Sequence, residues 1–196
     1  MIIHVLGTAQ DGGYPHSGCK ESCCLNVWDK PSLHRLPASI AAIDQKNKKF
    51  YLFDITPNIK QQLHLLEHYN CQLGGIFITH AHIGHYLGLL DLGLEIMNTN
   101  NIPVYVMPRM KQFILNNQPM AQLIENNNIY LIDIQNNEIN LFDNLSVIPF
   151  EVPHRNELSE AVGFRLLSSN KSVIYLPDID DWDSWDIDLD KIVKQG

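Results

Sequence analysis

The sequence is low in charge and lacks any long apolar run. Charged residues make up 18% of the 196 residues and hydrophobic residues 45%, a balance typical of one globular domain over residues 1–196. A membrane-spanning helix needs about 20 consecutive apolar residues. No segment of the sequence supplies them, so a membrane partner is not expected. The N-terminal residues lack the basic and apolar regions of a signal peptide, which predicts a cytoplasmic location.

Basic residues are scarce as well. The 14 Lys and Arg residues are outnumbered by 22 Asp and Glu residues, which gives a formal net charge of −8. This net negative charge disfavours a nucleic-acid partner bound on a broad basic surface, but it is compatible with a small anionic substrate. We expect the C-terminal run of aspartates to be solvated, except for its first member. The run consists of Asp178, Asp180, Asp181, Asp183, Asp186, Asp188 and Asp190.

Cysteine is rare, and three of the four cysteines are clustered. Cys19, Cys23 and Cys24 lie within six residues, whereas Cys71 stands alone. Without an export signal, a disulfide framework is not expected. Clustered thiolates are a pattern of metal ligation. The alternative is a set of free thiols packed in a loop.

Short apolar segments alternate with turns and with segments of helical spacing. β-Branched runs predict strands, and apolar residues three to four apart predict helices. The mixture predicts an α/β or α+β sheet protein. The predicted strands are 2–6, 38–44, 49–54, 75–78, 103–107, 129–134, 145–152, 161–167 and 173–175, the predicted helices are 58–69, 85–98 and 110–116, and 8–24 is predicted as a loop.

Three histidines follow directly on one predicted buried strand. His80 and His82 point the same way if the segment is extended, because side chains alternate with a period of two. His85 begins the next predicted helix and can reach the same pocket from another direction. Three histidines within six residues, between an apolar strand and an apolar helix, favour a metal site over chance clustering.

Two later strands end in further candidate ligands. The strand at 145–152 is followed by His154, and the strand at 173–175 leads to Asp178. If these strand ends meet at one sheet edge, three histidines and a carboxylate converge on one metal ion. Three protein ligands with an open position are typical of a catalytic metal site.

With these residues the sequence resembles the metallo-β-lactamase superfamily, whose signature is His-x-His-x-Asp-His, a later His and then an Asp. His80, His82 and His85 match the first motif, His154 the later histidine and Asp178 the Asp that bridges two metals. The resemblance implies the αββα sandwich of that superfamily. It also implies that Asp54, at the end of the strand at 49–54, supports the site.

The resemblance also implies a reaction. It implies a hydrolase in which zinc, or alternatively manganese or iron, activates water against a phosphodiester or ester bond. Asp178 would bridge to a second metal or orient the water, and His85 would bind the second metal or carry a proton. Arg109 and Arg155 are candidates for holding an anionic substrate group, with exposed surface charge as the alternative.

A narrower resemblance is carried by the segment from Leu6 to Pro15 and the cysteines that follow. It is similar to the pyrroloquinoline quinone synthesis protein B branch, to which the phosphodiesterase of phosphonate breakdown is related. Both branches carry a cysteine-rich insertion, here about residues 8–34, that binds a structural zinc ion. Cys19, Cys23 and Cys24 would be three of its ligands, and His16 or His34 a fourth. The branch adds two alternatives to hydrolysis: an oxidative quinone-cofactor synthesis enzyme with a redox metal, and a non-catalytic metal-binding protein.

The sequence departs from the superfamily pattern at two points. Gly84 stands where the superfamily has the Asp that binds the second metal, which predicts a strong first site and a weak or empty second one. Asp11 could supply the missing carboxylate, or it could be a turn residue before two glycines. The last residue, Gly196, comes before the superfamily's final histidine. This predicts an incomplete fold, truncated at its C-terminus, or one completed by a homodimer partner or a second polypeptide.

Overall fold

Two β-sheets form the centre of the chain. The computed structural model of the protein describes residues 1–135, 138–142, 145–169, 171–186, 191 and 193. The strands in these residues are β1 (Ile2–Gly7), β2 (Ser39–Asp44), β3 (Lys49–Phe53), β4 (Gln72–Phe77), β5 (Ile102–Val106), β6 (Ile129–Asp133), β7 (Ile139–Phe142), β8 (Leu145–Glu151), β9 (Val162–Leu167) and β10 (Ser172–Tyr175).

Short helices connect many of the strands. The α-helices are α1 (Ser22–Leu25), α2 (Ile59–Leu66), α3 (Ile83–Tyr86), α4 (Pro108–Leu115) and α5 (Gln118–Glu125). Three further segments form 3₁₀ helices: Pro31–Leu33, Glu67–Tyr69 and Leu87–Leu92. Among the described residues, none of the helices has the length and apolar character that a membrane span requires.

The first sheet has six strands in the order in which they occur along the chain. β1, β2 and β3 are antiparallel, and β3 to β6 run parallel to one another. The second sheet contains four antiparallel strands in the order β10-β9-β8-β7. Parallel strands bring their carboxyl ends to the same edge, so the loops after β3 and β4 are neighbours.

Side chains alternate between the two faces of the six-stranded sheet and form two cores. In β3, Leu52 packs on the side where α2 to α5 contribute their apolar residues, and Phe53 packs towards the second sheet. The same alternation separates Ile76 from Phe77 in β4. The sheet is therefore buried on both faces, between helices and a second sheet, which confirms the predicted mixed α/β class.

The predicted strands are confirmed apart from small shifts at their ends, and the predicted helix 85–98 is wrong. The chain forms one short α-helix, α3, and then a 3₁₀ helix at Leu87–Leu92. The reason is that the backbone here bonds across to the end of β3. Ile55 N–H donates to His85 O, and Gly88 N–H donates to Ile55 O. Helix α5, strand β7 and the short helix α1 within the predicted loop were not predicted.

We predict that Phe164→Ala lowers the free energy of unfolding by about 3–5 kcal/mol, because a ring in a tightly packed core is lost. Phe164 is 0% exposed and packs edge-on against Phe53 and Phe77 at centroid distances of 5.6 and 5.5 Å. Urea unfolding followed by circular dichroism measures the change. Leu94→Ala is the control, since Leu94 is 63% exposed and its truncation should cost less than about 0.5 kcal/mol. Equal losses in the two variants would contradict this view of the core.

Candidate metal centre

The candidate ligands lie on loops that leave the strands at one end of the two sheets. The segment after β4 carries His80, His82 and His85, the loop after β8 carries His154, and the segment after β10 carries Asp178. A backbone hydrogen bond of 3.1 Å from Val162 N–H to Thr79 O joins the two sheets at this point. The predicted convergence of strand ends is thus what the structure shows.

Three imidazole nitrogens and one carboxylate oxygen form the first ligand group. Nδ1 of His82 lies 2.9 Å from Nε2 of His80 and 3.1 Å from Nε2 of His154. Oδ2 of Asp178 lies 3.3 Å from Nε2 of His80 and 3.6 Å from Nε2 of His154. Ligands about 2.0–2.1 Å from a tetrahedral metal are about 3.3 Å apart. The observed spacing brackets this value, so the four atoms fit around one ion.

A second group shares Asp178 with the first. Nε2 of His85 lies 3.1 Å from Oδ2 of Asp178 and 3.4 Å from Oδ1 of Asp11. Asp11 comes from the loop after β1, far from the histidine motif in sequence. Asp11, His85 and Asp178 therefore form a distinct set of possible ligands beside the first, and the shared oxygen of Asp178 lies where a bridging ligand would.

Asp54, the predicted supporting residue, is fully buried and accepts hydrogen bonds from both sheets. Its Oδ1 accepts from Thr79 N–H at 2.8 Å, and its Oδ2 accepts from Tyr175 O–H at 2.9 Å and from His85 Nδ1–H at 2.7 Å. The Thr79 hydroxyl also lies 2.9 Å from Oδ1. The φ of Asp54 is +63°, in the left-handed region that Asp tolerates better than most residues. The backbone turns sharply here and places the carboxylate within hydrogen-bonding distance of Thr79 and His85.

These outer contacts fix which nitrogen of each ring faces the centre. A carboxylate only accepts hydrogen bonds, so the Thr79 hydroxyl donates to Asp54 and its oxygen accepts from Nδ1–H of His80 at 2.9 Å. Nδ1–H of His154 donates to Asp180 Oδ1 at 2.8 Å. In both rings Nε2 then carries the lone pair that a metal needs. Hydrogen bonds from the outward-facing nitrogen of a histidine orient the ring and strengthen its binding to a metal.

Burial and charge set the protonation of the rings. Burial lowers the pKa of His80 and of His82 below the usual value of about 6.5, so both are neutral and able to bind a metal at pH 7. Burial also opposes charge on His85, but the carboxylates of Asp54, Asp11 and Asp178 outweigh burial and raise the pKa of His85 to about 12. The carboxylates thus make this part of the site attractive to a cation.

The loop that carries His154 is held by helix α4. The Glu160 carboxylate accepts Arg109 N–H at 3.0 Å and Met110 N–H at 3.3 Å, at the start of α4. The Arg109 guanidinium donates to the carbonyls of Asn156 and Glu157 at 2.8 and 3.2 Å. The sequence suggested Arg109 as a residue that binds an anionic group. In the structure its guanidinium holds this loop in place through hydrogen bonds to backbone carbonyls.

A pocket of about 490 Å³ opens beside the two ligand groups. Its lining includes Asp11, His154 and Asp178 from the groups themselves, together with Arg155 and Trp182. Arg155 is exposed and lies next to the ligands, as its position after His154 predicts. The pocket has the size of typical small-molecule sites.

The three clustered cysteines also come together in space. Their Sγ atoms lie within 4.8 Å of one another, and the Cys23 and Cys24 sulfurs are 4.0 Å apart. Zinc–sulfur bonds of about 2.3 Å place two thiolates about 3.8 Å apart on one ion, so the spacing suits a metal. Neither His16 nor His34 belongs to this group. The His34 Nε2 is bonded to Val27 O at 3.1 Å.

Sequence reasoning missed three residues that serve the site. Thr79 and Tyr175 reach Asp54, and Asp180, which is exposed as expected, also pairs with His154. A signal existed only for Asp180, which lies two residues after Asp178 in an extended segment and so lies on the same side. Asp181 and Asp183 are exposed as predicted. Asp188 and Asp190 lie outside the described residues.

We predict that Asp54→Asn weakens zinc binding at the histidine site by about 10- to 100-fold, the usual effect of removing a residue that holds metal-binding histidines in place. Asn tolerates the left-handed backbone, but its amide cannot accept hydrogen bonds from both Thr79 and His85. Competition with a chromophoric chelator measures the affinity. Asp44→Asn changes a remote carboxylate that accepts from Lys46 N–H and Asn47 N–H, and it should leave the affinity unchanged. Unaltered zinc affinity in a folded Asp54→Asn protein would disprove the supporting role.

Comparisons with known proteins agree with this geometry. Residues 50–192 match the family described as the Beta-lactamase superfamily domain. Coenzyme PQQ synthesis protein B of Klebsiella pneumoniae is 33% identical over an alignment of 101 residues that covers 47% of this chain and 32% of that protein. Coenzyme PQQ synthesis protein B of Methylorubrum populi is 22% identical over 198 residues, covering 90% of this chain and 65% of that protein. The chain thus spans less than two thirds of the length of these curated relatives.

Solved structures show the same fold. Zn(2+)-bound PqqB from Methylobacterium extorquens superposes with a TM-score of 0.78 at 21% identity, over 93% of this chain and 68% of that one. A diphosphatase from the PhnP family gives a TM-score of 0.63 at 25% identity, over 84% of this chain and 61% of that one. The chain therefore belongs to the metallo-β-lactamase superfamily, and within it the chain is similar to coenzyme PQQ synthesis protein B.

Proposed function

We propose that the chain is a metal-dependent hydrolase whose catalytic ion, zinc by preference, is held by His80, His82 and His154. The observation that carries the proposal is the convergence of these three ring nitrogens and Asp178 Oδ2 at ligand spacing. The neutral imidazoles suit zinc, and the carboxylate beside them suits manganese, which is the alternative for hydrolysis. When bound, the ion would lower the pKa of water and polarise a substrate oxygen.

The surrounding side chains have distinct tasks in this proposal. Thr79 and Asp180 keep the rings of His80 and His154 in the tautomer that presents Nε2 to the centre. Asp178 has its Oδ2 between the two ligand groups, where it would bind the ion or orient the water that the ion activates. The hydrogen bonds from Arg109 to the backbone at 156–157 keep the loop in place, and so hold His154 at a fixed distance from the other rings.

The pocket favours a small anionic substrate such as a phosphodiester. Arg155 lies in the pocket lining beside His154 and offers a positive charge to a phosphate or carboxylate. Trp182 lies in the same lining and offers an apolar surface. The structural neighbour named as a diphosphatase, 25% identical to this chain, supports chemistry at phosphorus.

A second candidate is an oxidative step like that of a quinone-cofactor synthesis enzyme. It is favoured by the relatives named Coenzyme PQQ synthesis protein B. This function needs a redox-active metal such as iron in the same ligand group. The identity of the bound metal, measured by mass spectrometry on protein purified without added metal, separates the candidates. Zinc or manganese supports hydrolysis and iron supports oxidation.

We predict that chelator treatment abolishes hydrolysis of bis(4-nitrophenyl) phosphate and that zinc or manganese restores it. His82→Ala should lower kcat/KM by about 100-fold or more, since a lost metal is worth several kcal/mol in the transition state. His64→Ala, which changes a histidine whose side chain is 76% exposed, is the matched control and should keep full activity. The neutral ester 4-nitrophenyl acetate should be the poorer substrate. Equal diester rates in His82→Ala and the unchanged protein would refute the proposal.

We further propose that Cys19, Cys23 and Cys24 hold a structural zinc ion in the loop between β1 and β2. Their thiols form no disulfide and lie at the spacing that a zinc ion needs. Other bonds already shape this loop: Tyr14 and Arg35 exchange two backbone hydrogen bonds of 2.8 Å. The ion would close the part of the loop beyond this pair.

We predict that a Cys19→Ser/Cys23→Ser double variant binds one zinc ion per chain fewer than the unchanged protein. Two thiolates of the set are then replaced by hydroxyls, which are much weaker zinc ligands. Zinc is counted by mass spectrometry after desalting. Cys71→Ser, which removes the cysteine outside the cluster, should leave the zinc content as it was. Identical zinc content in both variants would rule out a thiolate site.

A further inference from the structure

The carboxylate of Asp11 fills the space in which a side chain at position 84 would lie. A Cβ atom built on Gly84 would be 2.5 Å from Cγ, 2.6 Å from Oδ1 and 2.8 Å from Cα of Asp11. Real Cβ atoms do not approach other heavy atoms so closely, so the two positions cannot both carry their side chains in this volume. Gly84 N–H also donates to Asp11 Oδ2 at 3.3 Å. The glycine is thus needed for Asp11 to approach.

His85 points its Nε2 atom at this carboxylate. Its side chain is 3% exposed, and Nε2 is one of two buried polar side-chain atoms in the described residues without a well-aligned hydrogen bond. Nδ1–H is donated to Asp54, whereas Nε2 lies 3.4 and 3.1 Å from oxygens of Asp11 and Asp178. A proton on Nε2 can pair with both carboxylates, and a divalent cation would take its place, since metal ions displace protons from their ligands.

We infer that Asp11 provides, from the loop after β1, the carboxylate ligand of a second divalent metal ion, in the place left open by Gly84. His85 and Asp178 are the other two ligands, and Asp178 is shared with the first ion. The inference rests on the proposed metal site at His80, His82 and His154, and it replaces the sequence-based expectation of a weak second site. The donor set of one imidazole and two carboxylates suits manganese as well as zinc.

Manganese(II) is the probe for the test, because thiolates bind it poorly and the cysteine cluster does not enter the count. Free manganese is followed by electron paramagnetic resonance during titration of the full chain. We expect two ions per unchanged chain and one per Asp11→Ala chain. Asp29→Ala changes an exposed carboxylate of the same loop and should keep two.

A conservative exchange separates a ligand from a merely structural residue. Gly84→Asp should crowd Asp11 and bind fewer than two ions. Asp11→Asn keeps the size of the side chain and an acceptor for Gly84 N–H but removes the charged ligand, and it should bind one ion. Circular dichroism checks that each variant is folded.

The outcomes distinguish this inference from the proposed function. Two ions in folded Asp11→Ala or Asp11→Asn, or one ion in the unchanged chain, would each overturn the role of Asp11. The first site would still stand in those cases, provided that His82→Ala loses an ion. A chain that binds no manganese or zinc at the histidines would overturn both.

Discussion

The arrangement of the site depends on one buried carboxylate, that of Asp54. It has no contact with solvent, and a buried charge is tolerated only when hydrogen bonds replace its lost hydration. Its donors come from the segment after β4, from helix α3 and from β10. The hydrogen bonds that offset the free-energy cost of burying this charge are the same bonds that hold His85 directly and His80 through Thr79. Stability of the fold and orientation of the ligands therefore have a common cause.

The two ligand groups differ in how they are supported. The first is built on strand ends and on a loop that helix α4 holds through Glu160 and Arg109. The second takes Asp11 from the loop between β1 and β2, which is shaped by backbone pairing and by the cysteine cluster. Two regions with separate supports thus meet at Asp178. The pocket lies along this junction, with its lining drawn from both.

Sequence patterns predicted the strands and the main ligands because both follow local rules. Short runs of apolar, β-branched residues indicate buried strands, and the spacing of His80 and His82 depends only on the neighbouring backbone. The helix at 85–98 was predicted wrongly because its backbone bonds to Ile55, about 30 residues earlier, which no local pattern shows. Tyr175 was missed for the same reason, since it is 121 residues away from its partner Asp54. Such pairs are decided by the tertiary fold.

The close approach of Asp11 to Gly84 has a consequence for how this lineage can change. Adding an aspartate at position 84 while Asp11 is present creates a steric clash. Removing Asp11 first leaves Asp178 as the one acidic group at Nε2 of His85 among the described residues. Each single step is therefore harmful. A lineage that exchanges the two positions must also move the backbone at residue 11, whose Cα would lie 2.8 Å from a Cβ at position 84. Position 11 lies outside the residues that match the superfamily domain. Homologues with a glycine in the histidine motif should therefore be classified as one-metal or two-metal proteins by the residue at this distant position, and not by the motif alone.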